Sequence, residues 1–74
     1  MVTWGDIRTN IDIQSDFAVV YYDSNEDERY EIREIEGYKL SDFDDCEVQY
    51  IYYDNDAICF ELSEEEVLEV IGRY

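Results

Sequence analysis

The sequence has no proline and no histidine, only three glycines and two cysteines, and five Lys or Arg against 21 Asp or Glu. Each shortage excludes something. Without His there is no Ser/His or Cys/His nucleophilic pair, and two Cys alone fall short of a structural zinc site. The glycines stand apart at positions 5, 37 and 72, so no glycine-rich phosphate loop can form. No apolar run approaches the roughly 18 residues of a membrane-spanning helix. The opening residues, Met1 to Asp6, lack the basic start and apolar stretch of a signal peptide. The expected location is the cytosol, where Cys46 and Cys59 are expected as free thiols. Asp44, Asp45 and Glu47 surround Cys46 in sequence and disfavour its thiolate.

What the chain has instead is negative charge. Its net charge of -16 over 74 residues exceeds the magnitude of roughly 2–8 that solubility asks of a small domain. Self-repulsion at that density opposes folding, and a small domain has little stability to spare. The field repels nucleic acid and anionic membranes and attracts basic surfaces, so neither direct nucleic-acid binding nor membrane binding is expected. The chain nonetheless has the means to fold. It is 46% hydrophobic, with eight Tyr, three Phe and one Trp, whereas disordered acidic tails are poor in aromatic and β-branched residues. Residues 1–74 are expected to form one acidic domain.

An internal repeat organises that domain. Residues 21–32 run Tyr-Tyr-Asp-Ser-Asn, an acidic stretch, then Tyr-Glu-Ile. Residues 52–62 run Tyr-Tyr-Asp-Asn-Asp, then Ala-Ile-Cys, then Phe-Glu-Leu. Each copy reads as strand, turn and returning strand, hence two β-hairpins. Period-two alternation puts Phe17, Val19 and Tyr21 on one face and Ala18, Val20 and Tyr22 on the other. It also groups Val48 with Tyr50 and Tyr52, and Ile58 with Phe60 and Leu62. Asn55 and Asp56 suit a turn that needs positive φ. Trp4, Ile7 and Ile11 have helical spacing behind a Thr3 cap, with Asp6 in the first turn. Ser63 and Glu66 fit a capping box, Val67, Leu68 and Ile71 form an apolar stripe, and Gly72 can end the helix. Between the hairpins Gly37 marks a turn and Ser41 to Asp44 one helical turn. The expected fold class is α+β: a small four-stranded antiparallel sheet of two hairpins with short N- and C-terminal helices. The helices cover one face and leave some Tyr residues on the other.

The carboxylates cluster. One group is Asp23, Glu26, Asp27 and Glu28; a second is Asp42, Asp44, Asp45 and Glu47. Asp54 with Asp56, and Glu64, Glu65, Glu66 and Glu69, complete the set. Turns and helix starts are ordinary places for acids, and a solvated rim explains any one cluster. Four clusters with almost no compensating base favour an acidic surface with a function. Acidic side chains two residues apart on a strand lie about 6.5–7 Å apart, a spacing comparable to successive phosphates of one DNA strand. Arg forks that grip guanine edges grip carboxylates equally well. Tyr22 and Tyr53 fall on the strand faces opposite the inward, core-facing Tyr residues and add flat contact area beside the charge.

Two rival chemistries are weaker. Asp23, Asn25, Asp27 and Glu34 match positions 1, 3, 5 and 12 of an EF-hand loop, but position 6 is Glu28 where the turn needs Gly, and the flanks read as strands. Paired carboxylates can perform acid/base catalysis only with a pocket and a raised pKa, which a fold this small supports poorly. No catalytic residues, metal ligands or cofactor site are assigned, and enzyme activity is not expected.

In size, composition and clustered carboxylates the whole chain resembles small acidic proteins of phages and mobile elements that act as DNA mimics, antirestriction proteins and anti-CRISPR proteins. The resemblance implies a stoichiometric, non-enzymatic inhibitor acting in the host cytosol. Its partner would be a basic nucleic-acid-binding protein, a CRISPR effector or another defence nuclease. The contact residues expected are Asp23, Glu26, Asp27, Glu28, Asp42, Asp44, Asp45, Asp54 and Asp56, supported by Tyr22 and Tyr53. The alternative is a small protein–protein assembly module, homodimeric through its sheet, whose charge serves solubility.

Overall fold

The N-terminal helix begins where the capping chemistry places it. In the computed structural model, which describes residues 1–10, 12, 14 and 16–72, α1 spans Trp4–Asn10. The Thr3 hydroxyl accepts the Asp6 N–H at 3.2 Å, and the Asp6 carboxylate accepts the Thr3 N–H at 3.1 Å. This reciprocal box satisfies two donors that a helix start leaves unpaired. Of the expected apolar stripe, Trp4 and Ile7 are buried, and Ile11 lies outside the described residues. At the other end α2 spans Glu64–Ile71. Ser63 accepts the Glu66 N–H, and Gly72 closes the helix at φ 68°, a left-handed conformation that costs glycine little.

The two hairpins also form as expected. Strands β1 (Phe17–Asp23) and β2 (Glu28–Glu31) pair antiparallel, as do β3 (Val48–Asp54) and β4 (Ala57–Leu62). The Asn55–Asp56 turn has both residues at positive φ, 51° and 65°, the twist that two-residue hairpin loops require. A 3-10 turn at Ile32–Glu34 ends the first hairpin, and a second at Leu40–Phe43 stands where the sequence suggested one helical turn.

The sheet itself is mixed. Its strand order is β2-β1-β4-β3, and the central pair β1–β4 runs parallel, from Phe17 beside Ile58 to Tyr21 beside Leu62. This corrects the expectation of a purely antiparallel sheet. The physical reason is burial: β1 and β4 are the most apolar strands, and pairing them puts both at the centre. A central parallel pair is buried on its helix-covered face and needs a long return connection, here residues 32–47.

A second correction concerns faces. Val48 pairs with Leu62 but Tyr50 pairs with Glu61, so the ladder shifts by one at Gln49. A bulge of this kind reverses which side the following residues take. Val48 therefore packs on the core, while Tyr50 and Tyr52 lie with Glu61 and Cys59 on the opposite face.

The core sits between the sheet and the helices. Trp4, Phe43, Ile32, Leu62, Val19, Val67 and Cys46 are fully buried. Trp4 meets Phe60 at 5.5 Å and Phe17 at 6.1 Å between ring centroids, separations at which tilted aromatic pairs attract. Cys46 and Cys59 are both free and buried, on opposite sides of the sheet. No described helix is long and apolar enough to cross a membrane.

Gly5 is a close-packed point where α1 docks against Asp44. Its N–H bonds the Asp44 carbonyl at 2.9 Å, and a Cβ there would stand 2.9 Å from both the Cβ and the carbonyl oxygen of Asp44. Gly5→Ala is expected to destabilise the fold by about 1–3 kcal/mol, the range for overpacking, despite alanine's better helix propensity. Thermal denaturation checks it; an unchanged or raised midpoint would mean that α1 does not dock against Asp44.

Candidate functional site

The first acidic turn follows β1 and is built by its own carboxylates. Asp23 is 8% exposed, and its Oδ1 accepts the N–H groups of Asn25 at 2.9 Å and Glu26 at 3.3 Å. Its charge is thus committed to closing the turn. Asp27 holds positive φ (53°) and accepts the Tyr22 hydroxyl. That bond holds the phenol above its ordinary pKa, because it stabilises the protonated form beside a negative charge. The Tyr30 hydroxyl donates to Glu26, and to Glu28 at 3.2 Å.

This turn meets the start of α2. Glu64 Oε2 accepts the Ser24 N–H at 2.7 Å and the Ser24 hydroxyl at 2.9 Å. Next to it Glu66 Oε1 accepts the Glu47 N–H at 2.8 Å. Glu64, Glu65 and Glu66 fill the first turn of α2, where the helix dipole favours negative charge. Residues 23–28, Glu47 and 64–66 therefore gather at one end of the sheet.

The other expected contacts lie elsewhere. Asp42 caps its 3-10 turn by accepting the Lys39 N–H at 2.8 Å. Asp44 is gripped by Arg8 through bonds of 2.8 and 2.6 Å, and the guanidinium holds its carboxyl below the usual range. Asp45 is exposed beside Cys46. Asp54 and Asp56, also exposed, sit at the far end of the sheet. The parallel central pair causes this separation: the first turn leaves the end of β1, whereas the second precedes the start of β4. Tyr22 is half-buried on the open face as expected, but Tyr53, expected to face away from the core, is turned by the bulge at Gln49 to the helix-side face, where it pairs with Ile58 and is 73% exposed beyond the helices' cover.

The open face carries a feature that alternation alone obscures. A cleft of about 850 Å³ is lined by Tyr22, Arg29, Tyr50, Tyr52, Glu61 and Glu64, among others. At its floor Glu61 is buried, bonded to Arg29 Nε at 2.7 Å and to the Tyr52 hydroxyl at 3.2 Å. Arg29 lies 5.4 Å over the Tyr22 ring, within cation–π range. Recognising the bulge at Gln49 from sequence would have put Tyr50 and Tyr52 beside Glu61. Its only signal is the broken apolar alternation from Val48 to Tyr52.

Comparison with family models, curated proteins and solved structures finds no match. The chemistry must therefore be read from the residues themselves. Among the described residues no three His, Cys, Asp or Glu side chains come together as a metal site. Asp23 and Glu34 of the EF-hand-like spacing do line one shallow cleft, but Asp23 Oδ1 is already held by two backbone donors. What the arrangement offers is a dense carboxylate surface whose cations are largely consumed internally. Arg8 pairs with Asp44, Arg29 with Glu61 and Arg33 with Glu31.

The same field acts on Cys46. Burial, with Glu66, Asp45 and Glu69 nearby, pushes its thiol from 9.0 up to about 11. A raised thiol pKa means stability that is complete below the unfolded value and lost as pH climbs through the folded one. The fold is expected to weaken between pH 9.0 and about 11, and Cys46→Ser should flatten that slope in urea melts. Native Cys46 should also resist a thiol reagent at pH 8 that labels it in denaturant. Rapid labelling of the folded chain would contradict its burial.

Proposed function

We propose that this protein is a non-enzymatic inhibitor that lays its acidic surface into the basic nucleic-acid-binding site of a host defence nuclease, a CRISPR effector or a restriction enzyme, in place of DNA. The observation that carries this reading is the disposition of charge. The net charge is -16, and Arg8, Arg29 and Arg33 are each neutralised within the fold. Little positive charge is left to soften the field, so a basic cleft meets a surface dominated by carboxylates. Glu26, Asp27 and Glu28 with Glu64 and Glu65 form one dense part of it; the Tyr30 hydroxyl donates to Glu26 and Glu28, the Tyr22 hydroxyl to Asp27, and the Ser24 N–H and hydroxyl to Glu64. Fixed anionic groups lose little freedom on binding, which favours both rate and affinity toward a cationic site.

Inhibition by this route needs no reaction. The carboxylates pair with Arg and Lys side chains that otherwise grip phosphates or guanine edges, and DNA is excluded by occupancy. Binding should weaken steeply with salt, because oppositely charged surfaces attract through a screened field.

The test is affinity capture from lysates containing CRISPR and restriction machinery, with stepwise salt elution, using two charge-matched variants. Glu28→Lys with Glu65→Lys alters the acidic end, where both are exposed; Asp16→Lys with Asp54→Lys alters the far end. Asp56 is left alone because its left-handed backbone disfavours Lys. Both pairs change net charge equally. The first is expected to weaken retention of one nuclease roughly tenfold or more and the second less, as local contact requires. Full retention by both variants would remove the acidic surface from the contact.

A further inference from the structure

The two edges of the sheet are unlike. The β2 edge is four residues long and reads Glu-Arg-Tyr-Glu, short and charged in the way natural sheets blunt an edge against pairing. Where β2 stops, side chains finish its work: Glu31 accepts the Val19 N–H at 3.1 Å, and Arg33 donates to the Phe17 carbonyl at 2.6 Å. The β3 edge has none of these protections. From Gln49 to Tyr53 it reads Gln-Tyr-Ile-Tyr-Tyr, with no charge and no proline. Tyr50, Ile51 and Tyr53 are 61%, 59% and 73% exposed.

The chain covers only the beginning of this edge. The Val48 N–H donates to the Val2 carbonyl at 2.8 Å, and Thr3 bridges Glu47 antiparallel. Beyond that point no described residue pairs with the outer side of β3. The register and the tight turn after Asp54 fix which groups face out. Asp54 and Ala57 flank the two-residue turn as its hydrogen-bonded pair, and alternation then turns the N–H and C=O of Tyr53 and Ile51 away from β4. A strand laid beside β3 would find these backbone groups free. Its side chains on one face would enter the cleft beside Tyr50 and Tyr52; those on the other would lie on Ile51 and Tyr53.

We infer that the β3 edge binds an extended, basic segment of a partner protein by strand addition, with Lys or Arg alternating with apolar residues. Charge complementarity selects this occupant over a second copy. Pairing two copies through β3 brings two chains of net charge -16 together, whereas a basic strand is drawn in by the same field. The inference rests on the acidic-surface reading for the partner's charge, and adds a second contact in which backbone hydrogen bonds and apolar side chains hold what the charge attracts.

The probe is the capped hexapeptide Lys-Val-Lys-Val-Lys-Val, titrated into the isotopically labelled full chain at physiological salt and followed by amide shifts. The largest shifts are expected at Ile51 and Tyr53. Ile51→Pro removes one outward N–H without changing charge, and edge strands tolerate proline at such positions. It is expected to weaken the peptide roughly tenfold. A peptide N-methylated on the residues that would pair with β3 should lose as much, with the protein untouched, which decides the matter even if Ile51→Pro misfolds. Shifts confined to residues 23–28 and 64–66, or equal binding of the N-methylated peptide, would overturn strand addition while leaving the acidic-surface reading standing. Sedimentation showing a dimer that Ile51→Pro abolishes and the peptide does not compete with would also overturn it, in favour of a second copy. If the hexapeptide binds at β3 but the charge-reversed pairs still capture their nuclease at full strength, the acidic-surface reading fails instead.

Discussion

The parallel pairing of β1 with β4 is the contact on which the rest of the molecule depends. Two-stranded hairpins are marginal alone in water. Joined along Phe17 to Tyr21 and Ile58 to Leu62, they present one continuous apolar face. Trp4, Phe43 and Val67 close over that face, and 74 residues acquire a single core. The direction of the pairing matters as much as its existence. It sends the first hairpin turn and the start of α2 to one end and the Asp54–Ala57 turn to the other. The distribution of charge over the surface follows from this.

Folding at such a charge density requires that carboxylates be given work. Asp23, Asp42, Glu31, Glu64 and Glu66 each accept a backbone N–H, so their charges satisfy donors that turns, strand ends and helix starts leave open. Asp44 and Glu61 hold arginines. The carboxylates left exposed occupy turn tips and helix ends, where solvent and salt screen them best. The same economy ties up Arg8, Arg29 and Arg33, and thus an acidic surface is both the consequence of the fold and its most conspicuous chemical property.

Local chemistry was readable in the sequence and long-range chemistry was not. Thr3 with Asp6, Ser63 with Glu66, and Gly72 announced their helix ends because capping involves residues three or four apart. The Tyr-Tyr-Asp repeat announced two hairpins, and Asn55 with Asp56 their turn. The parallel direction of β1 and β4 depends on residues some forty positions apart, and no local pattern encodes it. The shift at Gln49 reversed the faces of Tyr50 and Tyr52, which alternation alone had grouped with Val48. Among the proposed contacts, the sequence showed that residues 23–28 cluster, but not that Asp23 is buried in its own turn or that Asp44 is held by Arg8, 36 residues away. It grouped Asp54 and Asp56 with the other acids, although the sheet holds them at the opposite end.

In the function we propose, carboxylates stand where DNA would. The direct measurement is DNA binding by the captured nuclease, by mobility shift, at several concentrations of this protein and of DNA. Competitive displacement is expected: more DNA restores the complex, and the apparent affinity of the inhibitor falls steeply as salt rises. A nuclease that loses activity while still holding its DNA, or an inhibition that no concentration of DNA relieves, would contradict the account.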